Sequence, residues 1–323
     1  MPANLSHIPV LINEVIDALA PIAGKTIIDG TFGAGGYSLA MLEQGANVIA
    51  IDRDPNVMVH VERLKAEFGD GFTFVVGEFS KLDELVQVDV DAVVLDIGVS
   101  SMQLDEAERG FSFMRNGPLD MRMSSSGETA ADIVNNMGER ALADLLFAYG
   151  EEKRARRIAK AIIESRNEKV FVGTKELADV IENCVGKRAG ENHPATKSFQ
   201  ALRIAVNKEF DELVLGLFAA EKKLKVGGVL AVVSFHSLED RIVKRFFASS
   251  KAGGASSRHM PLQNENPTVW ESIKKAQKAS KNEVEVNPRS RSATLRVAKR
   301  TNEIAREVSF ANLGVPLSKG MQK

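Results

Sequence analysis

Three aspartates stand at positions where carboxylate chemistry is easily arranged. Asp29, Asp52 and Asp96 each directly follow a short run rich in valine, isoleucine and alanine. Such runs predict buried strands. Because the carboxyl ends of parallel strands meet at one edge of a sheet, we expect the three side chains to face a common crevice. Carboxylates there would accept hydrogen bonds from ligand hydroxyls and attract cations.

A glycine-rich turn follows the first of these aspartates. Residues 30–36 read Gly-Thr-Phe-Gly-Ala-Gly-Gly, and they join a predicted strand, 26–29, to a predicted helix, 37–44. A strand, a glycine-rich turn and a helix in this order form the nucleotide pocket of open α/β sheets. Glycines permit positive φ and a close approach of the backbone to a ligand. We therefore interpret the turn as part of a binding site.

The spacing of the glycines narrows the choice of ligand. The phosphate-binding loop of nucleoside triphosphatases requires a lysine, and none follows Gly36; the dinucleotide fingerprint requires a third glycine where Ser38 stands. S-adenosylmethionine has no phosphate, but its sulfonium, ammonium and ribose diol suit acids at strand ends. We expect Asp52 to bind the ribose hydroxyls and Phe79 to lie on the adenine. A nicotinamide cofactor stays open as the alternative.

The surrounding pattern predicts the elements that hold these residues. Four strands alternate with helices up to Asp96, which is typical of an α/β fold with a parallel, doubly wound sheet. The next strong strand, 228–235, begins about 130 residues later, whereas one βαβ unit needs roughly 30. We interpret residues 106–211 as a mainly helical insertion that binds a second substrate. Residues 1–105 and 212–323 then form the discontinuous main domain.

The remaining elements follow from periodicity and composition. Helices are predicted at 13–19, 55–68, 152–166, 175–185, 196–207, 211–224 and 239–248, with Asn13 and Thr174 as N-caps. Further strands are predicted at 47–51, 72–76, 88–95 and 292–299, the first and third of them closed by Asp52 and Asp96. Segment 252–281 is polar and low in complexity, which predicts a flexible loop, and 308–323 is predicted to be irregular.

Composition excludes several classes of protein. The chain has 323 residues and a net charge of −1, so it lacks the overall basicity of many nucleic-acid binders. Lys and Arg outnumber Asp and Glu in 251–300. We interpret this segment as a solvated tail, with a surface patch that contacts phosphates as the alternative. No apolar run reaches the roughly 20 residues of a membrane span, and no signal-peptide pattern is present. The single cysteine, Cys184, excludes an intrachain disulfide or multi-cysteine metal site. We expect a cytoplasmic protein without a metal.

Several longer segments carry a resemblance to a known family. They are Gly30–Gly36, Ala50–Pro55, Asp96–Asp105, Glu108–Arg115, Gly117–Met123, His193–Thr196 and Ser234–Lys244. Together they closely resemble the RsmH (MraW) family, bacterial enzymes that methylate N4 of a cytidine in small-subunit ribosomal RNA. The similarity runs from about His7 to Arg300.

The resemblance implies a class I, Rossmann-like methyltransferase fold with S-adenosylmethionine as methyl donor. It implies a decoding-centre cytidine of 16S rRNA as target, within the small ribosomal subunit. By motif matching, the family's cofactor contacts fall on Gly35, Gly36, Tyr37, Asp52, Phe79, Asp96 and Gln103. Relatives often have His in place of Tyr37 and Leu in place of Ile97. The first change is tolerable because position 37 is expected to offer mainly backbone contacts, and the second because it conserves packing. We expect a side chain at Gly35 to abolish cofactor binding before it disturbs the fold.

The expected chemistry points to an acceptor beside the cytosine amine. This amine is a poor nucleophile because its lone pair is delocalised into the ring. A hydrogen-bond acceptor favours the pyramidal nitrogen and stabilises the developing positive charge. Asp96 is our candidate, with the backbone carbonyls of Gly98 and Val99 as alternatives. Methylation at carbon 5 usually needs a cysteine nucleophile, but Cys184 lies in a predicted helix, where a small buried hydrophobe is expected.

The substrate side is less defined by the sequence. Candidates for contact with RNA are Asp120, Arg122, His193, Ser234 and His236. A basic helix around 153–160 suits either phosphate contact or a solvated face. Two other functions stay open. One is a methyltransferase that acts on DNA amines, although such enzymes usually carry a Pro-Pro-Tyr/Phe motif that is missing after Asp96. The other is a non-catalytic RNA-binding factor. A homodimer is compatible with the sequence.

Overall fold

The computed structural model describes residues 9–124, 126–187, 193–249 and 268–316. These residues form two compact units, one of 9–98 and 211–315 and the other centred on 99–210. The second unit thus begins seven residues before the boundary drawn from the sequence at 105/106. Its role as a substrate domain stays a prediction. In the described ranges no helix has the length and apolar character needed to cross a bilayer.

The first unit is built on a mixed sheet of eight strands. The strands are β1 (Thr26–Asp29), β2 (Asn47–Asp52), β3 (Phe72–Val76), β4 (Val90–Asp96), β5 (Leu224–Ser234), β6 (Trp270–Ser272), β7 (Gln277–Lys278) and β8 (Thr294–Arg300). They lie in the order β3-β2-β1-β4-β5-β8-β6, and β7 also pairs with β8. Strands β1 to β5 pair with one another in parallel, and β8 is antiparallel to β5. This doubly wound order confirms the predicted α/β fold class.

Helices connect the strands and form most of the second unit. They are α1 (Ile12–Leu19), α2 (Gly36–Glu43), α3 (Met58–Phe68), α4 (Leu82–Leu85), α5 (Ser101–Asp105), α6 (Ala130–Asn136), α7 (Glu139–Gly150), α8 (Ala155–Glu168), α9 (Thr174–Val185), α10 (Thr196–Asn207), α11 (Glu209–Lys223), α12 (Ser237–Ala248) and α13 (Lys281–Val286). Helices α5 to α10 belong to the second unit, and α11 begins at its end and continues into the first.

The core of the first unit explains why its strands form. Ile27 and Ile28 are adjacent in β1, so their side chains point to opposite faces of the sheet. Both are fully buried, which means that the sheet is covered on both faces. Parallel strands covered in this way read as continuous apolar runs rather than as alternating ones. That is the pattern seen before each of the three aspartates.

The strand order places these aspartates around a topological switch point. Strand β1 has β2 on one side and β4 on the other, and the chain continues outward from both. Asp29, at the end of β1, pairs in register with Ala50 of β2 and Val94 of β4. Asp52 and Asp96 end those neighbouring strands. In open α/β sheets, ligands bind in the crevice outside the carboxyl ends at such a point.

The second unit has its own hydrophobic core. Apolar residues of α6 to α10 are buried together with Phe111, Leu119 and Met121 from the segment before α6. The amphipathic faces of α8 and α9 supply Ile158, Ile162, Leu177 and Ile181, at the three- and four-residue spacing that a helix buries against a core.

Several local predictions were wrong. Thr174 is the first residue of α9, and its hydroxyl instead accepts a hydrogen bond from the Gly117 amide at 3.1 Å. Asn13 lies inside α1, where Leu11 is the N-cap. The predicted loop 252–281 contains β6 and β7, because strand β8 offers them a backbone to pair with. Its residues 252–267 and the end of the irregular tail, 317–323, lie outside the described residues.

Candidate functional site

The glycine-rich turn is fixed by its own backbone and by the neighbouring strand. The Gly35 amide donates to the Phe32 carbonyl at 2.8 Å, and the Phe32 amide donates to the Ile51 carbonyl at 3.1 Å. Gly33 and Gly35 have φ of 52° and 78°. Glycine takes this left-handed conformation without steric cost. The turn therefore enters α2 with a defined backbone before any ligand is bound.

Asp29 stabilises the start of this turn. Its side chain is fully buried. One carboxylate oxygen accepts from the Ser38 hydroxyl at 2.7 Å, and the other accepts from the Thr31 amide at 3.2 Å. Burial raises the pKa of Asp29 to about 6, although these hydrogen bonds oppose the rise. Asp29 thus joins the end of β1 to the first turn of α2, which is a structural role.

Asp52 reaches across the turn from the end of β2. Its Oδ2 accepts from the Gly33 amide at 2.7 Å, and its Oδ1 accepts from the Asp54 amide at 2.8 Å. A carboxylate has about four acceptor positions, so Asp52 retains capacity for ligand hydroxyls. Burial raises its pKa, and the two amides oppose this. The short helical turn that begins at Pro55 is capped by Asp54, whose side chain accepts from the Asn56 amide, and not by Asp52.

Asp96 is the one strand-end acid with an unused buried oxygen. Its amide donates to the Thr31 hydroxyl at 2.7 Å, which fixes the end of β4. Its Oδ1 is buried and has no hydrogen-bond partner among the described residues. Burial, together with the negative charges of Asp29 and Glu239, raises the pKa of Asp96 well above its usual range. A buried acceptor left without a donor costs about 1–3 kcal/mol, a cost that a ligand donor would remove.

The side chain of Tyr37 is buried against the segment before α1. The ring is 4% exposed, and its hydroxyl donates to the Val10 carbonyl. Burial is the main cause that raises the pKa of this phenol, so the hydroxyl stays protonated and remains a donor. The side chain is fully used within the protein, so what remains for a ligand is the Tyr37 backbone.

A side chain at Gly35 would meet the protein's own packing as well as any ligand. A Cβ at Gly35 would lie 2.8 Å from Cε2 of the Phe32 ring and 3.2 Å from Cδ1 of Leu64, at a φ that L residues rarely adopt. A Cβ at Gly36 would fall on the ring of Pro9. Both positions thus require glycine because of the protein's own packing. Substitution at Gly35 should disturb the turn itself, together with any ligand that the turn binds.

Phe79 has two neighbours that place it at the edge of the crevice. It is half-buried and begins a short 3-10 helix just after β3. A Cβ at Gly216 of α11 would fall on its ring, and a Cβ at Gly30 would lie 3.3 Å from the Phe79 Cβ. One part of Phe79 therefore packs on α11, and its base lies beside the first glycine of the turn.

Ser234 and His236 follow the carboxyl end of β5. The buried Ser234 hydroxyl donates to the Thr294 carbonyl of β8 at 3.3 Å. His236 is the N-cap of α12, where its Nδ1 accepts from the Glu239 amide at 3.4 Å. The buried Glu239 carboxylate in turn accepts from the His236 amide at 3.2 Å and from the Phe235 amide at 2.9 Å. This reciprocal cap orients the loop after β5.

The other candidates lie in the second unit. Gln103 is buried and forms a reciprocal cap with Ser100: its Oε1 accepts the Ser100 amide at 3.0 Å. Arg122 donates to both carboxylate oxygens of Asp120, at 2.8 and 2.7 Å. His193 Nε2 lies 3.0 Å from Glu182 Oε2, and its Nδ1 accepts the Ala195 amide at 3.2 Å.

Three polar residues of the first unit were not singled out from the sequence. The Thr31 hydroxyl accepts the Asp96 amide, and the Ser38 hydroxyl donates to Asp29. Glu239 completes the cap of α12 by accepting the His236 amide. Thr31 and Ser38 lie within or next to the glycine-rich turn, but their types are common in turns and gave no signal. Glu239 follows His236 at the spacing of a capping box, which is a signal that could have identified its role.

Comparison with known proteins agrees with these observations. The model of the MraW methylase family matches residues 4–301. "Ribosomal RNA small subunit methyltransferase H" from a Ruegeria strain is 51% identical over 315 residues, covering 96% of this chain and 95% of the relative. The protein of the same name from Bartonella tribocorum is 54% identical over 298 residues, covering 92% and 90%.

Solved structures align more weakly. The alignment with an rRNA methylase from Streptococcus thermophilus covers 92% of this chain and 99% of that protein, at 12% identity and a TM-score of 0.39. The family match spans nearly the whole chain and includes the turn and all three strand-end aspartates. This chain belongs to the MraW methylase family.

Proposed function

We propose that this protein transfers a methyl group from S-adenosylmethionine to N4 of a decoding-centre cytidine in 16S rRNA of the small ribosomal subunit. The observation that carries the proposal is the buried, unpartnered Oδ1 of Asp96 beside the glycine-rich turn. The names of the relatives support a small-subunit rRNA as substrate. These relatives are bacterial, so we place the reaction in the cytoplasm, where bacterial subunits are assembled.

The donor and acceptor groups around the turn fit S-adenosylmethionine. We assign cofactor contacts to the backbone of Gly35, Gly36 and Tyr37, to the carboxylates of Asp52 and Asp96, to Phe79 and to Gln103. Burial raises the pKa of both carboxyls; a nearby cation would lower it again, since an opposite charge favours the ionised form. When bound, the cofactor supplies an electrophilic methyl group next to these acceptors.

Asp96 has a second role toward the substrate amine. Its unpartnered oxygen would accept a hydrogen bond from the cytosine amine, which favours the nucleophilic form of the nitrogen. As the N–C bond forms and the S–C bond breaks, the nitrogen gains positive charge. The fixed carboxylate would stabilise this charge in a site with little water, where such interactions are strong, and would accept the proton that the nitrogen then loses. Asp96 is then a catalytic residue and not only part of the cofactor site.

The remaining candidates are proposed to shape the RNA side. Arg122, held by Asp120 in a bidentate pair, is pre-oriented to contact a phosphate or base. His236, as the N-cap of α12, would orient the loop after β5 toward the RNA. Ser234 and His193 already have partners within the protein, so they would act by supporting neighbouring backbone.

The second unit offers a surface that suits single-stranded RNA. Arg156, Arg157 and Lys160 are exposed on α8. Phe147 of α7 is 62% exposed, and it lines a groove of about 700 Å³ together with Arg140 and Arg156. Exposed aromatic rings beside guanidinium groups are typical of sites where unpaired bases stack. Glu139 and Asp144 also line the groove, so phosphates would lie on the α8 side.

Removing the charge of α8 should weaken RNA binding. We expect the Arg156→Gln/Arg157→Gln/Lys160→Gln variant to lose about tenfold in affinity at low salt, with the slope of log K against log salt reduced by roughly 2. The measurement is a salt titration with decoding-region RNA. The control is Glu164→Gln, which breaks the 3.7 Å ion pair with Lys160 but keeps the basic charges. An unchanged slope in the triple variant would show that this surface does not contact phosphate.

The proposed reaction is tested with small subunits from a strain that lacks the family's enzyme. Incubation with this protein and S-adenosylmethionine, followed by nucleoside mass spectrometry, should yield N4-methylcytidine at one decoding-centre position. Methylation at carbon 5, or at another base, would contradict the proposal. No product with subunits, combined with no heat on titration with S-adenosylhomocysteine, would favour a non-catalytic RNA-binding factor.

A further inference from the structure

The segment before α1 lies directly on the glycine-rich turn. The ring of Pro9 occupies the space where a Cβ at Gly36 would be, and the Tyr37 hydroxyl donates to the Val10 carbonyl. Leu11 follows, fully buried, with a left-handed φ of 54°. This segment therefore covers the backbone of the two residues through which the turn enters α2.

One carboxylate from a distant part of the chain fixes this segment. The Leu11 amide donates to Glu283 Oε1 at 2.7 Å, across 272 residues of sequence. The Leu11 side chain makes no capping hydrogen bond at the start of α1. Glu283 therefore supplies an acceptor that the helix start would otherwise lack. Hydrogen bonds from a backbone amide to a carboxylate are charge-assisted and stronger than neutral ones.

The conformation of Leu11 makes this bond important. A left-handed φ is unfavourable for a non-glycine residue and persists only where the surroundings fix it. Here Glu283 holds the Leu11 amide, Tyr37 holds the preceding carbonyl, and the Leu11 carbonyl accepts from Val15 at 3.0 Å. Without Glu283, the segment can relax toward an ordinary φ and withdraw Pro9 from Gly36.

We infer that Glu283 is a positioning residue for the cofactor site, acting through the segment Pro9–Leu11 on the backbone of Gly36 and Tyr37. The inference rests on the proposed use of that backbone to bind S-adenosylmethionine. It adds a residue of α13, far from the glycine-rich turn in sequence, to the groups that determine cofactor affinity.

The test compares two substitutions with different hydrogen-bonding capacity. Glu283→Ala removes the acceptor and should weaken binding of S-adenosylhomocysteine about tenfold, measured by isothermal titration. Glu283→Gln keeps an amide oxygen and should restore most of the affinity. Glu285→Ala is the matched control, because Glu285 is an exposed glutamate of the same helix. Under turnover, KM for S-adenosylmethionine should rise, while kcat and KM for the small subunit stay unchanged.

A second measurement follows the segment itself. Hydrogen exchange at the Leu11 amide should be slow in the wild-type protein, slower with S-adenosylhomocysteine bound, and fast in Glu283→Ala. Fast exchange in Glu283→Ala combined with wild-type affinity would overturn the inference, since the segment would then be free without effect on the ligand. A wild-type protein that binds no S-adenosylhomocysteine would instead overturn the proposed function.

Discussion

Replacing Asp96 with Asn is expected to lower kcat about 100-fold to 1,000-fold, the range seen when one preorganised electrostatic group is removed from an active site. Asn keeps the size of the side chain, but it loses the negative charge that would stabilise the methylated amine. Methylation of small subunits under saturating S-adenosylmethionine measures the effect. Affinity for S-adenosylhomocysteine should fall much less than kcat, because the cofactor keeps its other contacts.

The thermal stability of this variant separates chemistry from folding. The Asp96 carboxyl is buried, has an unpartnered oxygen and a raised pKa, so its ionised form is costly in the folded protein. Asp96→Asn should therefore leave Tm unchanged or raise it. Asp89→Asn, an exposed position just before the other end of β4, should change neither Tm nor kcat. Near-normal turnover by folded Asp96→Asn would refute the catalytic role.

Gly35→Ala is expected to lower the free energy of unfolding by about 2–4 kcal/mol, adding a left-handed φ to overpacking, and to abolish measurable binding of S-adenosylhomocysteine. The new Cβ would press on the ring of Phe32. That ring packs against Phe72 and Phe74 of β3 at centroid distances of 5.7 and 5.5 Å, so it has little room to move.

Gly24→Ala is the matched control, because it measures the loss of stability caused by a left-handed φ alone. Gly24 has φ of 75°, close to the 78° of Gly35, but no heavy atom lies within 4 Å of a Cβ built there. Urea unfolding should show a loss of about 1–2 kcal/mol for Gly24→Ala, with cofactor binding intact. Equal losses for the two variants would mean that contact with Phe32 adds nothing. Wild-type affinity in Gly35→Ala would refute the assignment of this backbone to the cofactor.

Parts of the fold that depend on local pattern could be predicted from sequence. The apolar runs before Asp29, Asp52 and Asp96 are long enough to define strands, and strands in a doubly wound sheet end at a common edge. Helix α10 was predicted with the bounds that the structure has, 196–207. Strands β6 and β7 could not be predicted, because short polar strands form only when a partner such as β8 is beside them.

The candidate site shows the same division. Its residue types and glycine spacing can be read locally, so the acids and the turn were singled out. Which groups are already used depends on partners that the fold brings together. The Ser38 hydroxyl donates to Asp29, the Thr31 hydroxyl accepts the Asp96 amide, and Glu283 accepts the Leu11 amide from the far end of the chain. Tertiary pairing of this kind leaves no periodic signal in sequence.

The position of the second unit in the chain has a consequence for synthesis on the ribosome. Strand β4 pairs with β1 and β5, yet β5 begins 128 residues after β4 ends, since Asp96 and Leu224 bound the gap. At elongation rates of about 5–20 residues per second, this interval lasts on the order of 10 s. Throughout it, the emerging half-sheet presents a hydrophobic strand with an unpaired edge, which is a template for aggregation. The helices of residues 99–210 are made and can fold during this delay, before the sheet is closed.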